Sequence, residues 1–399
     1  MRVILIKGGS TYDTLRVFID DLASAFASFG YQPTIVDITT DPDLLGTLQR
    51  LAKSGPVKLV FSFNIFGETH DQGGRFIGDI VGAPHVIQYV DYPLTHFTRL
   101  DQTSPRTALL TVDRSHVEAV RSTYGPDRFG YVGFSPHAAA GETVSPGADA
   151  AAFAVQRPIP ILFLGTFYKP QPPEWRNMPP LVQKIYETAV EIALSTEWTP
   201  ALDALDRAMS AAGLDPKSPD FPEFRKTAYM VHERVRSHRR FELLNVAADL
   251  GLPVHIYGRG YDQDLHRYKS LTYGGDVSLP EGLALMARSR VVLNINANFG
   301  MGSHERPLAA LNAGAAAASD HSSFYASGFR EGEEVALYRW RDLEAGLTAI
   351  GRLAADSEAA FAMAAAGQRK VVAEHLWRHR VETIVAAADA VRARFSAVL

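Results

Sequence analysis

The stretch VVLNINANFGMGSHERPLAALNAGAAAASD, Val291 to Asp320, decides how this chain reads. Val291, Leu293 and Ile295 alternate onto one face, which predicts a short buried strand over Val291–Asn296. A loop containing Gly300 and Gly302 follows. Ser303 is placed as the helix N-cap, and Pro307 is tolerated in a first turn whose amides have no helical partner. Gly314 suits the left-handed position that ends a helix, and Ala315–Ala318 reads as the next buried strand. Strand, glycine loop, helix and strand make one turn of an open parallel α/β sheet. In such sheets ligands sit beyond the carboxyl ends of the strands, where helix N-termini present their N–H groups. His304, Glu305 and Arg306 fall at that helix start. An imidazole, a carboxylate and a guanidinium there suit an anionic, hydroxyl-bearing ligand such as a nucleotide sugar. A surface pair complementing the helix dipole would account for Glu305 and Arg306 alone. Three differently charged polar residues behind a glycine loop point instead to a site.

The pattern extends outward from this stretch. Strands are predicted at Arg2–Lys7, Pro33–Ile38, Val57–Phe63, His85–Val90 and Ala108–Val112, separated by helices and by the Gly8–Gly9–Ser10 turn. Residues Pro136–Gln156 turn to Ala, Gly, Ser and Pro, as a domain crossing does. The pattern then restarts at Ile159–Leu164, which opens onto Gly165–Thr166. Further strands are predicted at Pro253–Tyr257 and Val335–Tyr338, and a last helix from near Ala373. The fold class is therefore α/β, with two Rossmann-like domains facing a cleft. Their boundaries are placed at 1–155 and 156–374, with a helical insertion at about 174–250 in the C-terminal half and the terminal helix 375–399 bracing the first domain. The insertion collects Arg225, Lys226, Arg234, Arg236, Arg239 and Arg240, which for the most part read as a solvated face.

Composition limits what such a chain does. Its 399 residues suit about two domains, and 46% hydrophobic with 21% charged residues is an ordinary globular mixture. A formal net charge of -4 argues against a general nucleic-acid binder. The sequence has no cysteine, so it forms no disulfide and uses no thiolate, in keeping with a reducing cytoplasm. The start MRVILIKGG is a strand and turn rather than a signal peptide, and no window approaches a membrane span. Peripheral membrane contact is not indicated.

Several polar residues lie just past the predicted strand ends, where chemistry in this class of sheet is done. In the first half these are Gly8, Gly9, Ser10, Asn64, His70, Asp71 and Asp91. In the second they are Gly165, Thr166, Lys169, Tyr257, Gly258, Arg259, Asn296, Ser303, His304, Glu305 and Arg306. Glycine turns let backbone N–H groups approach a phosphate, and Lys or Arg adds charge, so the second half is assigned the nucleotide. The isolated Asp91 and His70 suit a base acting on an acceptor hydroxyl. A tight turn alone would explain Gly8–Gly9, and no His or Asp spacing makes a convincing metal site.

Three segments carry a family resemblance: LFLGTFYKP (Leu162–Pro170), VHIYGRGYD (Val254–Asp262) and SRVVLNINANFGMGSHERPLAALNAGAAAASD (Ser289–Asp320). Together they resemble the bacterial group-one glycosyltransferases of the GT-B fold, a family that includes spore-maturation-type proteins. The resemblance implies donor nucleotide-sugar binding by the C-terminal domain, acceptor binding by the N-terminal domain, and metal-independent transfer in the cleft. The donor is a UDP- or other NDP-sugar, no cofactor is tightly bound, and the acceptor is a glycan, a lipid or a protein. Many relatives carry a Glu five residues before the helix-ending glycine to hold the donor ribose. Here that position is Ala309 and the position eight residues earlier is Met301, so Glu305 is expected to serve instead. The departure also leaves a catalytically silent nucleotide- or sugar-binding scaffold, and an epimerase of the same fold, as alternatives.

Overall fold

A computed structural model describes residues 1–64, 73–166, 172–260, 269–296 and 299–396. These residues form two six-stranded sheets whose neighbouring strands all run parallel. The first contains β1 (Arg2–Lys7), β2 (Gln32–Asp37), β3 (Val57–Phe63), β4 (His85–Tyr89), β5 (Thr107–Thr111) and β6 (Tyr131–Phe134), in the order β2-β1-β3-β4-β5-β6. The second contains β7 (Ile159–Leu164), β8 (Val254–Tyr257), β9 (Leu271–Tyr273), β10 (Ser289–Leu293), β11 (Ala316–Asp320) and β12 (Ala336–Tyr338), in the order β12-β11-β10-β7-β8-β9. Strands β4, β5 and β11 are buried at every residue, the signature of a parallel sheet covered on both faces. The two Rossmann-like α/β halves read from the sequence are thus present. The pattern gave no sign of β6 and β9. The first is four residues with Gly133 inside it, and the second is a three-residue edge strand with Thr272 and Tyr273 exposed.

The chain divides into two compact units, Met1–Ala140 with His375–Leu399, and Gly141–Glu374. The crossing thus falls about fifteen residues earlier than the sequence placed it, because residues 141–155 pack with the second sheet. Asn312 donates to the Gly141 carbonyl at 2.9 Å and accepts from Val144 N through its own carbonyl at 3.0 Å. Phe153 is fully buried among Ile161, Val291 and Leu244. The insertion is helical, its longest helix spanning Ala228–Asp249.

The C-terminal helix starts at Val381, not near Ala373. The preceding helix ends at Glu374, and a short 3-10 turn, Trp377–Arg380, lies between them. This turn seats Trp377 against Phe18 and Phe63, with ring centroids 5.4 and 5.5 Å apart. Arg380 then donates to the carbonyls of Pro136 and His137, each at 2.9 Å. The helix runs beneath the first sheet, with Ile384, Ala387, Ala388 and Val391 buried and Asp389 paired to Lys58 at 2.5 Å. Among the described residues no helix is long and apolar enough to cross a membrane.

At the end of β2, Asp37 accepts from Arg16 at 2.6 and 3.1 Å and from the Thr39 amide and hydroxyl at 3.0 and 2.6 Å. These donors, the Arg16 guanidinium foremost, hold its carboxyl well below the usual carboxylate range. A depressed folded-state pKa contributes stability above the unfolded pKa of about 3.9 and loses it as pH falls toward the folded value. Asp37→Asn should therefore cost up to about 1 kcal/mol at neutral pH. In urea melts taken at descending pH, the gap between wild type and variant should start to narrow as pH falls through about 4 and keep narrowing toward the depressed folded value.

Candidate functional site

Strand order reverses in the second sheet between β7 and β10: the chain lays β8 and β9 to one side of β7, then returns to place β10 on the other. Such a switch point leaves a crevice at the carboxyl ends of the two strands. At the end of β7, Gly165 has φ 153°, and its amide donates to the Tyr257 carbonyl at 3.0 Å. Gly258 follows β8 with φ 132°, and a Cβ built on it would lie 2.2 Å from the Gly165 carbonyl oxygen. The two loops therefore touch backbone to backbone. Tyr257 packs its ring against Gly274, where a Cβ would come within 2.1 Å of it.

The loop after β10 is held by Asn296. Its amide nitrogen Nδ2 donates to the carbonyls of Phe299 and Gly302 at 2.9 and 3.2 Å, and its Oδ1 accepts from His304 N at 2.7 Å. Its backbone N–H donates to the Asp320 carboxylate at 2.5 Å. Asp320 closes β11 and also accepts from Trp340 Nε1 and Ser319 Oγ, each at 3.2 Å. Burial pushes its carboxyl above the usual range, against these donors and the nearby Arg239 charge. Asn296 thus fixes both ends of the glycine loop and ties it to the adjacent strand.

The helix Glu305–Asn312 starts one residue later than predicted, with His304 rather than Ser303 at its N-cap. Ser303 is fully buried, and its hydroxyl is engaged with the Tyr325 hydroxyl and with the His304 carbonyl, the latter at 2.6 Å. Every residue of the helix is buried, so Glu305 and Arg306 are not a surface pair. Arg306 is 7% exposed and its Nη1 donates to the Leu164 carbonyl at 2.5 Å. A Cβ at Gly165 would stand 3.2 Å from that Nη1, so the glycine makes room for the guanidinium. Arg306 Nη2 lies 2.8 Å from His304 Nε2, and His304 Nδ1 contacts the Glu305 carboxylate. With Nε2 accepting from Arg306 Nη2, Nδ1–H is left to donate to Glu305, and the longer 3.3 Å approach of Arg306 Nε to Nδ1 is then a contact and not a hydrogen bond. A fixed cation, backed by helix amides, therefore faces the switch point between β7 and β10. Of the positions where relatives place a Glu, Ala309 is buried against the sheet and Met301 is partly exposed.

The remaining donor-side candidates divide. Arg259 is exposed and paired with Asp276 at 2.7 Å. The Thr166 carbonyl accepts from Arg240 Nη1, a contact between distant segments that leaves no local cue. Lys169 lies outside the described residues. The basic run of the insertion is largely not a solvated face. Arg225 is buried against Asp206, 2.9 and 3.0 Å away. Arg239 is 2% exposed, donates to the carbonyls of Ala193, Thr196 and Glu197, and lies 4.9 Å from the Trp340 ring. The signal was available in the spacing: Val231, His232, Val235 and Arg239 fall on one inward face.

In the first unit, Ser10 starts a helix: its hydroxyl accepts from Leu15 N at 2.9 Å and its carbonyl from Asp13 N at 3.2 Å. A Cβ on Gly9 would meet only Thr39 at an ordinary 3.7 Å, so a turn accounts for it. Asn64 ends β3 with φ 47°, donates to Asp91 at 2.7 Å and accepts from Val90 N at 3.0 Å. It thereby brings the carboxyl ends of β3 and β4 together. His96, in the turn after β4, places Nε2 3.8 Å from the Asp91 carboxylate. Sequence reasoning missed His96, although an Asp and a His five residues apart across a Pro turn is a usable cue. His70 and Asp71 lie outside the described residues. Among the described residues no group of three His, Cys, Asp or Glu side chains is placed to hold a metal ion.

Residues 236–386 match a family model described as glycosyl transferase-like. That segment contains β8 to β12, Asn296 and the His304–Arg306 group. No curated protein shows significant sequence similarity to the chain. Solved structures align over its length at low identity. One is sucrose-phosphate synthase from Thermosynechococcus elongatus, at 14% identity and TM-score 0.49 over 100% of each chain. Another is Anabaena HepE in complex with UDP and glucose, at 9% identity and TM-score 0.47 over 100% of each chain. A third is a glycosyltransferase from Rickettsia africae, at 8% identity and TM-score 0.47, covering 97% of this chain and 98% of its own.

At the site, Gly258 meets Gly165 backbone to backbone, which leaves no room for a side chain. Gly258→Ala combines a left-handed φ with a Cβ 2.2 Å from a carbonyl oxygen. It should destabilise the chain by roughly 2–5 kcal/mol in urea denaturation.

Proposed function

We propose that the chain is a GT-B glycosyltransferase that moves a sugar from a nucleotide-sugar donor to an acceptor hydroxyl. The second unit would hold the donor and the first would present the acceptor. The observation that carries the reading is the Arg306 guanidinium, fixed on the Leu164 carbonyl at the switch point and backed by a helix N-terminus. The match of residues 236–386 to a glycosyl transferase-like model supports it independently.

In this reading the acceptor oxygen forms a bond to the anomeric carbon while the bond from that carbon to the donor phosphate breaks. The hydroxyl proton passes to Asp91, which Asn64 orients and His96 adjoins. The nucleoside diphosphate leaves with its charge met by Arg306, by Arg259 and by the helix amides rather than by a metal. His304 is held between Glu305 and Arg306, which fixes the direction in which that guanidinium points. The cysteine-free sequence fits a cytoplasmic enzyme. A second reading, a nucleotide-binding scaffold without turnover, is favoured by Ala309 in the place of the ribose-binding Glu and by the engagement of Glu305 with His304.

Thermal-shift assays with UDP, GDP, dTDP, ADP and CMP and their sugars separate these readings. One nucleotide family should raise the melting temperature, corresponding to about 2.7 kcal/mol at a hundredfold excess over Kd. Arg306→Ala should lose that shift relative to its own ligand-free melt, itself lowered by about 1–3 kcal/mol through the unsatisfied Leu164 carbonyl. A shift retained in Arg306→Ala sinks the donor-site assignment. Asp91→Asn should keep the nucleotide shift and lower kcat by about 10²–10⁴-fold. Equal turnover in that variant removes Asp91 as the base, and binding with no turnover of any donor in wild type supports the scaffold.

A further inference from the structure

The turn between the helices Pro180–Leu194 and Ala201–Ala211 of the insertion is held at two points. Arg239 donates to the carbonyls of Thr196 and Glu197, each at 2.6 Å. The Glu197 carboxylate accepts from the amides of Trp340 and Arg341 at 2.8 and 3.0 Å, which ties the turn to the chain just after β12. Within the turn, the hydroxyls of Thr196 and Thr199 bond to each other at 2.8 Å. Trp198, half-buried in the middle of this braced turn, is thereby given a fixed base.

Its indole lies on Gly300, in the loop that leads to His304 and Arg306. A Cβ built on Gly300 would stand 1.9 Å from Trp198 Cδ2, 2.3 Å from Cγ and 2.4 Å from Cε2. These atoms are the root and fused edge of the indole rather than its far end, so no small rotation of the ring clears the space. Gly300 has no left-handed φ, so the ring and not the backbone conformation demands a glycine there. The Gly300 carbonyl accepts from the Ser323 amide and hydroxyl at 2.8 and 3.0 Å. Gly300 is therefore gripped both by the indole and by the start of the helix Ser323–Gly328, while the nearby Gly302 carbonyl accepts from Asn296 and Ser322.

We infer that Trp198 is a positioning residue for the nucleotide: through it the helical insertion holds residues 299–303, and so the His304–Arg306 group, in the geometry that receives a phosphate. The ring touches no reacting atom and acts through Gly300. Ordering a loop on binding costs backbone entropy, and a loop already ordered spares the ligand that cost. The insertion is thereby a working part of the donor site rather than an addition to its surface. The role toward the nucleotide rests on the glycosyltransferase reading, whereas the hold on the loop does not.

Amide hydrogen exchange and titration calorimetry on the full chain test it, with UDP, GDP, dTDP, ADP and CMP as probes and every variant kept well below its melting temperature. In the ligand-free chain, Trp198→Ala should speed exchange in the peptide spanning 299–304 about tenfold and leave β10 and β11 unchanged. The same variant should bind the nucleotide that wild type selects about tenfold more weakly. Trp198→Phe, which keeps a flat ring over Gly300, should retain most of that affinity. Gly300→Ala should reproduce the loss, and combining it with Trp198→Ala should bind no worse than either single variant, since both remove one contact. Wild-type affinity in Trp198→Ala, even with faster exchange, reduces the ring to packing and overturns the inference. Unchanged exchange at 299–304 overturns it too, as do additive losses in the double variant. If wild type binds none of the five nucleotides while exchange responds as expected, the hold on the loop stands and the glycosyltransferase reading falls.

Discussion

Arg306 reaches the carbonyl of Leu164 only because Gly165 has no side chain, and through this contact the ends of β7 and the loop after β10 are held together. A guanidinium with 7% exposure is costly to desolvate, so its donors must be committed, here to a backbone oxygen and to an imidazole. That commitment in turn dictates the neighbours. His304 must offer Nε2 as an acceptor, which the Glu305 carboxylate secures by accepting from Nδ1–H, and Asn296 must hold the His304 backbone where the ring can reach. The glycines at 165 and 258 are then required for close approach of backbone to backbone, not for looseness. Charge, chain direction and packing at this corner are one constraint seen from three sides.

The parts of this arrangement encoded by local periodicity were legible in the sequence. The bounds of β1, β3 and β7 coincide with the predicted ones, because four or more apolar residues bounded by Gly or Pro specify a buried strand without help from elsewhere. The His304–Arg306 group was legible for the same reason, since its place follows from the strand before it and the helix it opens. What stayed hidden depends on partners far along the chain. Ser303 loses the cap role to a tyrosine at position 325, and the crossing segment joins the second unit through Asn312. Arg239 and Arg240 look alike in sequence, yet one is sealed among three carbonyls and the other reaches the end of β7. His96 was missed because its proximity to Asp91 comes from a turn, which leaves no periodic trace.

Buried arginines recur as organisers away from the site. Arg157, 1% exposed, gathers the carbonyls of Met286, Ala287, Ser289, Ser145 and Ala313, which belong to two helix ends, a strand start and the crossing segment. Desolvation lowers its pKa to about 10, so it keeps its charge at neutral pH while serving five neutral oxygens. Arg380 does the same in the first unit for Pro136 and His137, its pKa likewise lowered to about 10. One guanidinium satisfies several helix-end and loop carbonyls that water cannot reach, which a lysine with its single point of charge would do less completely.

The discontinuity of the first unit bears on how the chain is made. Its sheet is complete once β6 has left the ribosome, but the helix beneath β3 to β6 and the Trp377 wedge are supplied only by residues 375–399, which are synthesised after the second unit. Between these events the whole of the second unit, residues 141–374, is translated with its own sheet and covering helices. The first unit is therefore completed only after the second has been made. Throughout elongation it carries an apolar underside, lined by residues such as Phe18 and Phe63, whose proper cover does not yet exist. For this molecule the vulnerable interval of biosynthesis is set by the length of the intervening domain.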